Sequence, residues 1–323
     1  MSTSPTSPGT MSALRAHRRG GPETLAVEAA PRPGVSAGEV LLAVRAAGIT
    51  FAELTWDLSW QTLEGADRTP VIPSHEVAGW VVEHHPSVTD LRVDDEVFGL
   101  VPFDRDGAAA EFVALPAEAL APAPKTVSGV AAAGLSLAAL TAWQALVDHA
   151  RITAGEHVLV HGGAGGVGVY AVQLAHILGA RVTATASGED DPLLQALGAD
   201  RVIAYETESF TELVSDTDVV FDTVGGETLA RSYGVLRPAG RLVTLGAPPS
   251  AEAAADAGIE ATFFVVQPDR RQLTQIANLV DAGVLRAVVA ATFPLSDGRV
   301  AYESGSRPRP PGKTVLTVEE VVT

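Results

Sequence analysis

Apolar and polar positions follow two different rhythms along this chain. From about residue 12 to 122, short apolar runs are cut by turn residues. Glu39-Val-Leu-Leu-Ala-Val-Arg45, Glu76-Val-Ala-Gly-Trp-Val-Val-Glu83, Asp95-Glu-Val-Phe-Gly-Leu-Val101 and Ala110-Glu-Phe-Val-Ala114 are punctuated by Pro31, Pro33, Gly34, Gly38, Pro73 and Pro86. That spacing predicts an all-β, barrel-like region. Residues 128–150 are rich in strong helix formers. Strands and helices then alternate. Strands are expected at 157–162, 181–186, 201–205, 218–223, 241–245 and 262–266, and helices at 167–178, 191–197, 209–214 and 227–236. Strands this apolar, separated by helices, imply a parallel sheet covered on both faces. Residues 269–283 read as an amphipathic helix with Leu273, Ile276, Leu279 and Val280 on one face. Residues 287–293 and 313–318 return to strand character and are expected to rejoin the first region. The fold class is therefore α/β, a doubly wound parallel sheet inserted in a β domain. The Ser/Thr/Pro-rich residues 1–11 are expected to be disordered, with 12–125 plus 285–323 forming one domain and 126–284 the other. Met11 is an alternative start.

The stretch Val158-Leu-Val-His-Gly-Gly-Ala-Gly-Gly-Val-Gly168 reads as a buried strand, a glycine turn and the start of a helix. Gly163, Gly165 and Gly168 carry the G-x-G-x-x-G spacing of a dinucleotide-binding turn, with Ala164, Gly166 and Val167 between them. The chemistry asks glycine for three things. The first is expected to let the chain reverse, the second lets backbone approach a pyrophosphate, and the third lets helix pack on strand. The diphosphate then meets free N–H groups at the positive end of the helix.

Composition narrows the partners. With 323 residues, of which 46% are hydrophobic, the chain can bury a substantial core. A formal net charge of −17 argues against nucleic acid and anionic membranes. The absence of cysteine removes disulfides, zinc–cysteine sites and a thiol nucleophile. No apolar signal region and no apolar run of spanning length is seen, so a cytoplasmic location is expected. No Tyr-x-x-x-Lys pair and no G-x-S-x-G elbow is present, which argues against short-chain reductase and hydrolase chemistry.

The chain resembles the medium-chain dehydrogenase/reductase superfamily, and within it the zinc-independent quinone oxidoreductase-like branch. The resemblance rests on Arg45-Ala-Ala-Gly48, Ser74-His-Glu-Val-Ala-Gly79, Phe98-Gly99, Gly107-Ala-Ala-Ala-Glu-Phe-Val113, Leu140-Thr-Ala-Trp-Gln-Ala-Leu146 and His157 to Gly168. It continues through Leu197-Gly-Ala-Asp-Arg-Val-Ile203, Val220-Phe-Asp-Thr-Val-Gly-Gly-Glu-Thr228, Phe293-Pro-Leu295 and Gly312-Lys-Thr-Val-Leu316. It implies a GroES-like β domain interrupted by a Rossmann domain, with the active site in the cleft between, and often a homodimer.

Zinc-dependent relatives hold their metal through a cysteine, a His-Glu pair and a further Cys or His. Here His75-Glu76 remains, but Thr50 and Leu137 stand at the other two positions. A catalytic zinc needs about three protein ligands, so no metal is expected. Where an Asp or Glu about 20 residues past the glycine turn would grip the ribose of NAD, the chain has Ala186-Ser187-Gly188. Ser187 can donate to a 2′-phosphate, so NADPH is expected over NADH, although Glu189-Asp190-Asp191 follow directly. The resemblance implies that Tyr205 lies near that phosphate. It also implies that Thr141, Val224, Gly225, Leu245, Gly246, Ala247, Phe263, Phe264 and Val265 border the cofactor. A plain helix position is the competing reading for Thr141, core packing is the one for the two phenylalanines, and a half-buried strand-end aromatic is the one for Tyr205. Lys313 either reaches the cleft or is a solvated lysine at a strand start.

On the acceptor side, Phe51, Trp56 and Trp60 are expected to form an apolar wall, with Glu53 in the same pocket and Thr50 as the hydrogen-bond donor to a developing oxyanion. The expected activity is NADPH-dependent hydride transfer to a quinone or an α,β-unsaturated carbonyl, a small electrophilic acceptor. Two alternatives stand beside it: a biosynthetic enoyl or tailoring reductase acting on one intermediate, and a non-enzymatic NADPH-binding protein.

Overall fold

The structure is a computed structural model and describes residues 9–62 and 64–318. Two compact units divide the chain. The first runs through Leu137 and includes Gln267–Asp281 and Val289 onward; the second is Ala138–Val266 with Ala282–Val288. Residues 126–137 and the 270–281 helix thus fall in the first unit, where the sequence had placed them in the second.

The first unit begins with an antiparallel pair, β1 (Thr10–Ala16) and β2 (Leu25–Pro31). The expected disorder of residues 1–11 is corrected at its end, because Thr10 and Met11 belong to β1. Met11 pairs with Ala30 and is 3% exposed, so burial and a strand partner fix it. Residues 1–8 lie outside the described residues. The main sheet takes β3 (Glu39–Gly48), β4 (Glu76–His84), β5 (Glu96–Leu100), β6 (Phe112–Pro116) and β7 (Leu120–Pro122). β3 pairs antiparallel with both β4 and β6. Its core is aliphatic, built from residues such as Leu14, Leu41, Val77, Leu115 and Leu316.

In the second unit, β8 (His157–His161), β9 (Arg181–Ala186), β10 (Arg201–Ala204), β11 (Thr217–Asp222), β12 (Leu236–Thr244) and β13 (Glu260–Phe263) form one parallel sheet. Its order is β10-β9-β8-β11-β12-β13. The order reverses direction between β8 and β11, the switch point where ligands of open α/β sheets bind. β12 starts five residues earlier than its apolar run suggested, because Leu236 pairs with Thr217 across an irregular stretch in which Ala239 takes φ +61°.

The helical stretch expected at 128–150 is broken into Gly129–Ala133, Ala138–Trp143 and a wider π-type turn at Gln144–His149. Two helices, Ala251–Ala257 and Gly298–Glu303, have no strong sequence signal. The chain then returns to the first unit as β14 (Val289–Pro294) and β15 (Lys313–Thr317), and β15 pairs antiparallel with β3. Among the described residues no helix is long and apolar enough to cross a membrane.

Candidate active site

The dinucleotide turn follows β8, whose five residues are all buried. The chain reverses at Gly162, which takes φ +73°. The expectation that Gly163 supplies the reversal is therefore corrected. A methyl on Gly163 would lie 2.8 Å from the Ala184 Cβ, so this glycine lets the turn pack on β9. Gly165 is open, with only the Gly162 carbonyl oxygen within 4 Å of its hypothetical Cβ, at 3.1 Å. Gly168 is the reverse case: a Cβ there would collide with the Gly162 carbonyl. The Gly163 N–H donates to the Thr185 carbonyl (2.8 Å), which pins the loop to β9, and the Gly165 N–H to the Gly162 carbonyl (2.9 Å), which closes the turn on itself. Ala164, Gly166 and Val167 complete the turn, and helix Gly168–Ile177 starts here, the Val169 and Tyr170 N–H groups closing on the Gly165 and Val167 carbonyls (both 3.1 Å) so that the turn itself faces the helix's positive end.

His161 ends β8 beneath this turn. Its ring nitrogens meet the Thr185 hydroxyl (3.1 Å) and the Ser232 hydroxyl (3.1 Å), and its edge meets Phe210 at 4.5 Å between centroids. Burial pushes its pKa down to about 4, so it is a neutral packing residue.

The other expected cofactor residues fall at the ends of neighbouring parallel strands. Ser187 follows β9, Tyr205 follows β10, Val224-Gly225 follow β11, Leu245-Gly246-Ala247 follow β12 and Phe263-Phe264-Val265 close β13. Asp222, fully buried and missed in the sequence, fastens two of these loops. Its carboxylate accepts the Val224 and Gly225 N–H groups (both 3.0 Å) and the Thr244 hydroxyl (2.9 Å). Tyr205 is 64% exposed and free to meet a ligand, whereas Phe264 turns inward against His149, ring centroids 4.4 Å apart. Phe264 is thus a core residue by its side chain. Thr141 is buried on the helix Ala138–Trp143. Asp190 hydrogen-bonds the Ser187 hydroxyl. Burial raises its pKa most, the Ser187 bond opposes that, and the negative Glu189 and Glu206 add to it.

In the first unit, the end of β3, the start of β4 and the start of β15 bring four polar residues together. Lys313, 5% exposed, places its ammonium 2.5 Å from Glu76 Oε1, 2.8 Å from the Ile49 carbonyl oxygen and 3.4 Å from Thr50 Oγ1. The solvated reading of Lys313 is therefore excluded. Glu76 also accepts the Leu137 N–H at 3.3 Å. His75 is buried, with Nδ1 3.2 Å from the Val101 carbonyl and its ring 4.9 Å from Phe103; burial pushes its pKa to about 4.

Two expected pocket residues are corrected. Trp60 is 1% exposed and donates its indole N–H to the Leu54 carbonyl at 2.9 Å, so it belongs to the core. Glu53, also 1% exposed, lies behind Thr50. It accepts the Ser74 N–H (2.8 Å), the Thr50 N–H (3.2 Å) and the Tyr302 hydroxyl. Trp56 stays half-buried, edge-on to Phe103 at 5.8 Å, and Phe51 stays half-buried with the Arg309 guanidinium 4.6 Å from its ring centre. Phe103 and Tyr302 carry no local motif that could have marked them, and the motif that opens at Ser74 does not point to its contact with Glu53.

Comparison with known proteins gives this arrangement a lineage. Residues 36–125 match the family model of the alcohol dehydrogenase GroES-like domain, and residues 197–316 that of the zinc-binding dehydrogenases. The 2-haloacrylate reductase of a Burkholderia species is 31% identical, covering 89% of this chain and 93% of its own. The polyketide synthase GfsB of Streptomyces halstedii is 36% identical over 97% of this chain, which spans only 6% of that much longer protein. The solved quinone oxidoreductase of Coxiella burnetii is 29% identical and superposes with a TM-score of 0.88, covering 96% of this chain and all of its own. The chain belongs to the medium-chain dehydrogenase/reductase superfamily, in its quinone oxidoreductase-like group, and is an oxidoreductase with a Rossmann-type unit for a nicotinamide dinucleotide.

Proposed function

We propose that this enzyme is an NADPH-dependent reductase that transfers hydride to a quinone or an α,β-unsaturated carbonyl without zinc. The observation that carries the reading is the Lys313 ammonium bound by Glu76, the Ile49 carbonyl and Thr50. A catalytic zinc needs about three protein donors and an open position. Here Glu76 already neutralises an ammonium, His75 faces the Val101 carbonyl, and Thr50 and Leu137 offer a hydroxyl and a hydrocarbon. These residues do not fit the metal. An acceptor in such a site must be electrophilic by itself, as a quinone or the β-carbon of an enone is.

When bound, the dinucleotide supplies the hydride. The Thr50 hydroxyl donates to the acceptor oxygen as negative charge gathers on it, and solvent returns the proton. Phe51, Trp56 and Phe103 provide apolar surface for a flat acceptor, Phe103 taking the part expected of Trp60. A panel of quinones, enones and enoyl thioesters, each assayed with NADPH and NADH, tests the reading; oxidation of neither dinucleotide by any of them would refute it. Similarity to a polyketide synthase across 97% of the chain favours one second reading, a dedicated enoyl reductase. Turnover confined to enoyl thioesters would select it.

Ser187 and Tyr205 support the preference for the 2′-phosphate, and Asp190 opposes it by repelling that charge. Asp190→Asn is expected to lower the Kd for NADPH about fivefold, from one partly screened charge pair, and to leave the Kd for NADH unchanged. Equal shifts for both dinucleotides in a calorimetric titration would remove Asp190 from the phosphate site.

A further inference from the structure

We propose that Lys313 is a positioning residue for the acceptor-side hydroxyl: its buried ammonium holds the Thr50 oxygen as an acceptor and so commits the Thr50 proton to the substrate. The inference rests on the proposed role of Thr50 and deepens it. A lysine ammonium has three N–H donors and accepts nothing. The three protein oxygens around Nζ are Glu76 Oε1 at 2.5 Å, the Ile49 carbonyl at 2.8 Å and Thr50 Oγ1 at 3.4 Å. The first two are short and fix the ammonium; the third is long, and its effect is mainly that of a positive charge beside the hydroxyl.

A hydroxyl has one proton and two lone pairs. Because Lys313 can only donate, the Thr50 proton cannot point at it. The Thr50 N–H, itself a donor, ties the backbone to Glu53 Oε1 at 3.2 Å and fixes where the hydroxyl stands. The proton is left for a further acceptor, and the adjacent charge makes the hydroxyl a stronger donor to an oxyanion. Glu76 serves as the counter-ion that makes a buried lysine tolerable. Nothing in a solvated or purely structural lysine requires the third partner to be the hydroxyl of a half-buried threonine.

The test is a mutant cycle on the whole enzyme with NADPH and the best acceptor of the panel. Lys313→Met with Glu76→Gln removes the pair without stranding a charge. It is expected to lower kcat by about 100-fold, the lower end of what loss of one oxyanion donor costs, with the KM for NADPH unchanged. Thr50→Val is expected to lose as much, and the triple variant no more than Thr50→Val alone. Multiplied losses in the triple variant, or full activity in the double, would overturn the proposal. Should the double variant not fold, Lys313→Arg and Lys313→Gln supply the comparison, since both can still donate to Glu76 and differ in charge. Arg is expected to stay within about threefold of wild type and Gln to lose about tenfold; equal rates for the two would overturn the proposal. Failure of the functional reading looks different: the wild type would then reduce none of the acceptors, or Thr50→Val would be silent.

Discussion

Gly168→Ala is expected to abolish dinucleotide binding and, with it, activity. The added methyl would run into the carbonyl oxygen of Gly162, with the carbonyl carbons of Gly162 and Gly163 at 2.8 Å. These are backbone atoms, so no side chain can swing aside. Either the helix Gly168–Ile177 backs away from β8 or the turn opens, at a cost of about 1–3 kcal/mol typical of overpacking. Both movements displace the N–H groups that would hold the diphosphate, and a loss of more than about 100-fold in affinity follows from misplacing several charge-assisted bonds at once.

Gly165→Ala makes the matching control. Its Cβ has a single neighbour within 4 Å, at 3.1 Å, so the fold accommodates it, yet the methyl stands on the open face of the turn. Thermal unfolding of the Gly165 variant should therefore match the wild type while NADPH binding weakens at least about tenfold. Titration calorimetry beside a thermal melt separates the two glycines; wild-type affinity in Gly168→Ala would refute the account of the turn.

The second large effect is a pH dependence of stability with contributions of opposite sign. Burial raises the Glu53 pKa from 4.5 to about 7, outweighing the bonds from Tyr302, Ser74 and Thr50 and the charge of Lys313. The folded state then holds a proton that the unfolded chain has released. Glu53 therefore contributes stability fully present below pH 4.5, and this is lost as pH rises through about 7. The loss reaches up to about 3 kcal/mol.

His75 and His161 work the other way. Burial lowers both from 6.5 to about 4, so the unfolded chain takes up protons first. Their contribution is present above pH 6.5 and is lost as pH falls through about 4. Glu53→Gln removes only the first term. Its amide oxygen, placed where Oε2 stands, still accepts the Ser74 N–H, and the amide nitrogen on the Oε1 side can donate to the Tyr302 oxygen but leaves the Thr50 N–H without its acceptor. Relative to wild type, the variant is expected to be about 3 kcal/mol better placed at pH 8 than at pH 4.5, on top of a pH-independent cost for the lost Thr50 bond. Chemical denaturation at several pH values measures this; parallel curves for variant and wild type would show that Glu53 does not titrate between the two states.

The order of elements was readable because each signal is local. The glycine spacing, the apolar strands and the punctuation of the first region all lie within windows of a few residues, and the parallel sheet follows from them. Ser187 at a strand tip and the turn residues 163–168 were marked the same way, since strand ends in an open parallel sheet converge on one edge whatever the rest of the chain does.

The acceptor side was not legible, and the reason is distance along the chain. Thr50 meets Lys313 across 263 positions, and Glu53 meets Tyr302 across 249. No local pattern tells a buried lysine from a solvated one, or an indole that lines a pocket from one that closes a core. Trp56 and Trp60 are four residues apart in similar surroundings, yet Trp60 is buried because its N–H finds the Leu54 carbonyl. The first glycine of the motif shows the same division. Its presence was set by sequence, but the reversal fell one residue earlier, at Gly162, because contact with Ala184 on the neighbouring strand claimed Gly163. Sequence alone determined that this chain folds around a dinucleotide turn. Only the packing of β15 on β3 decided that an ammonium, neutralised by Glu76, stands beside Thr50.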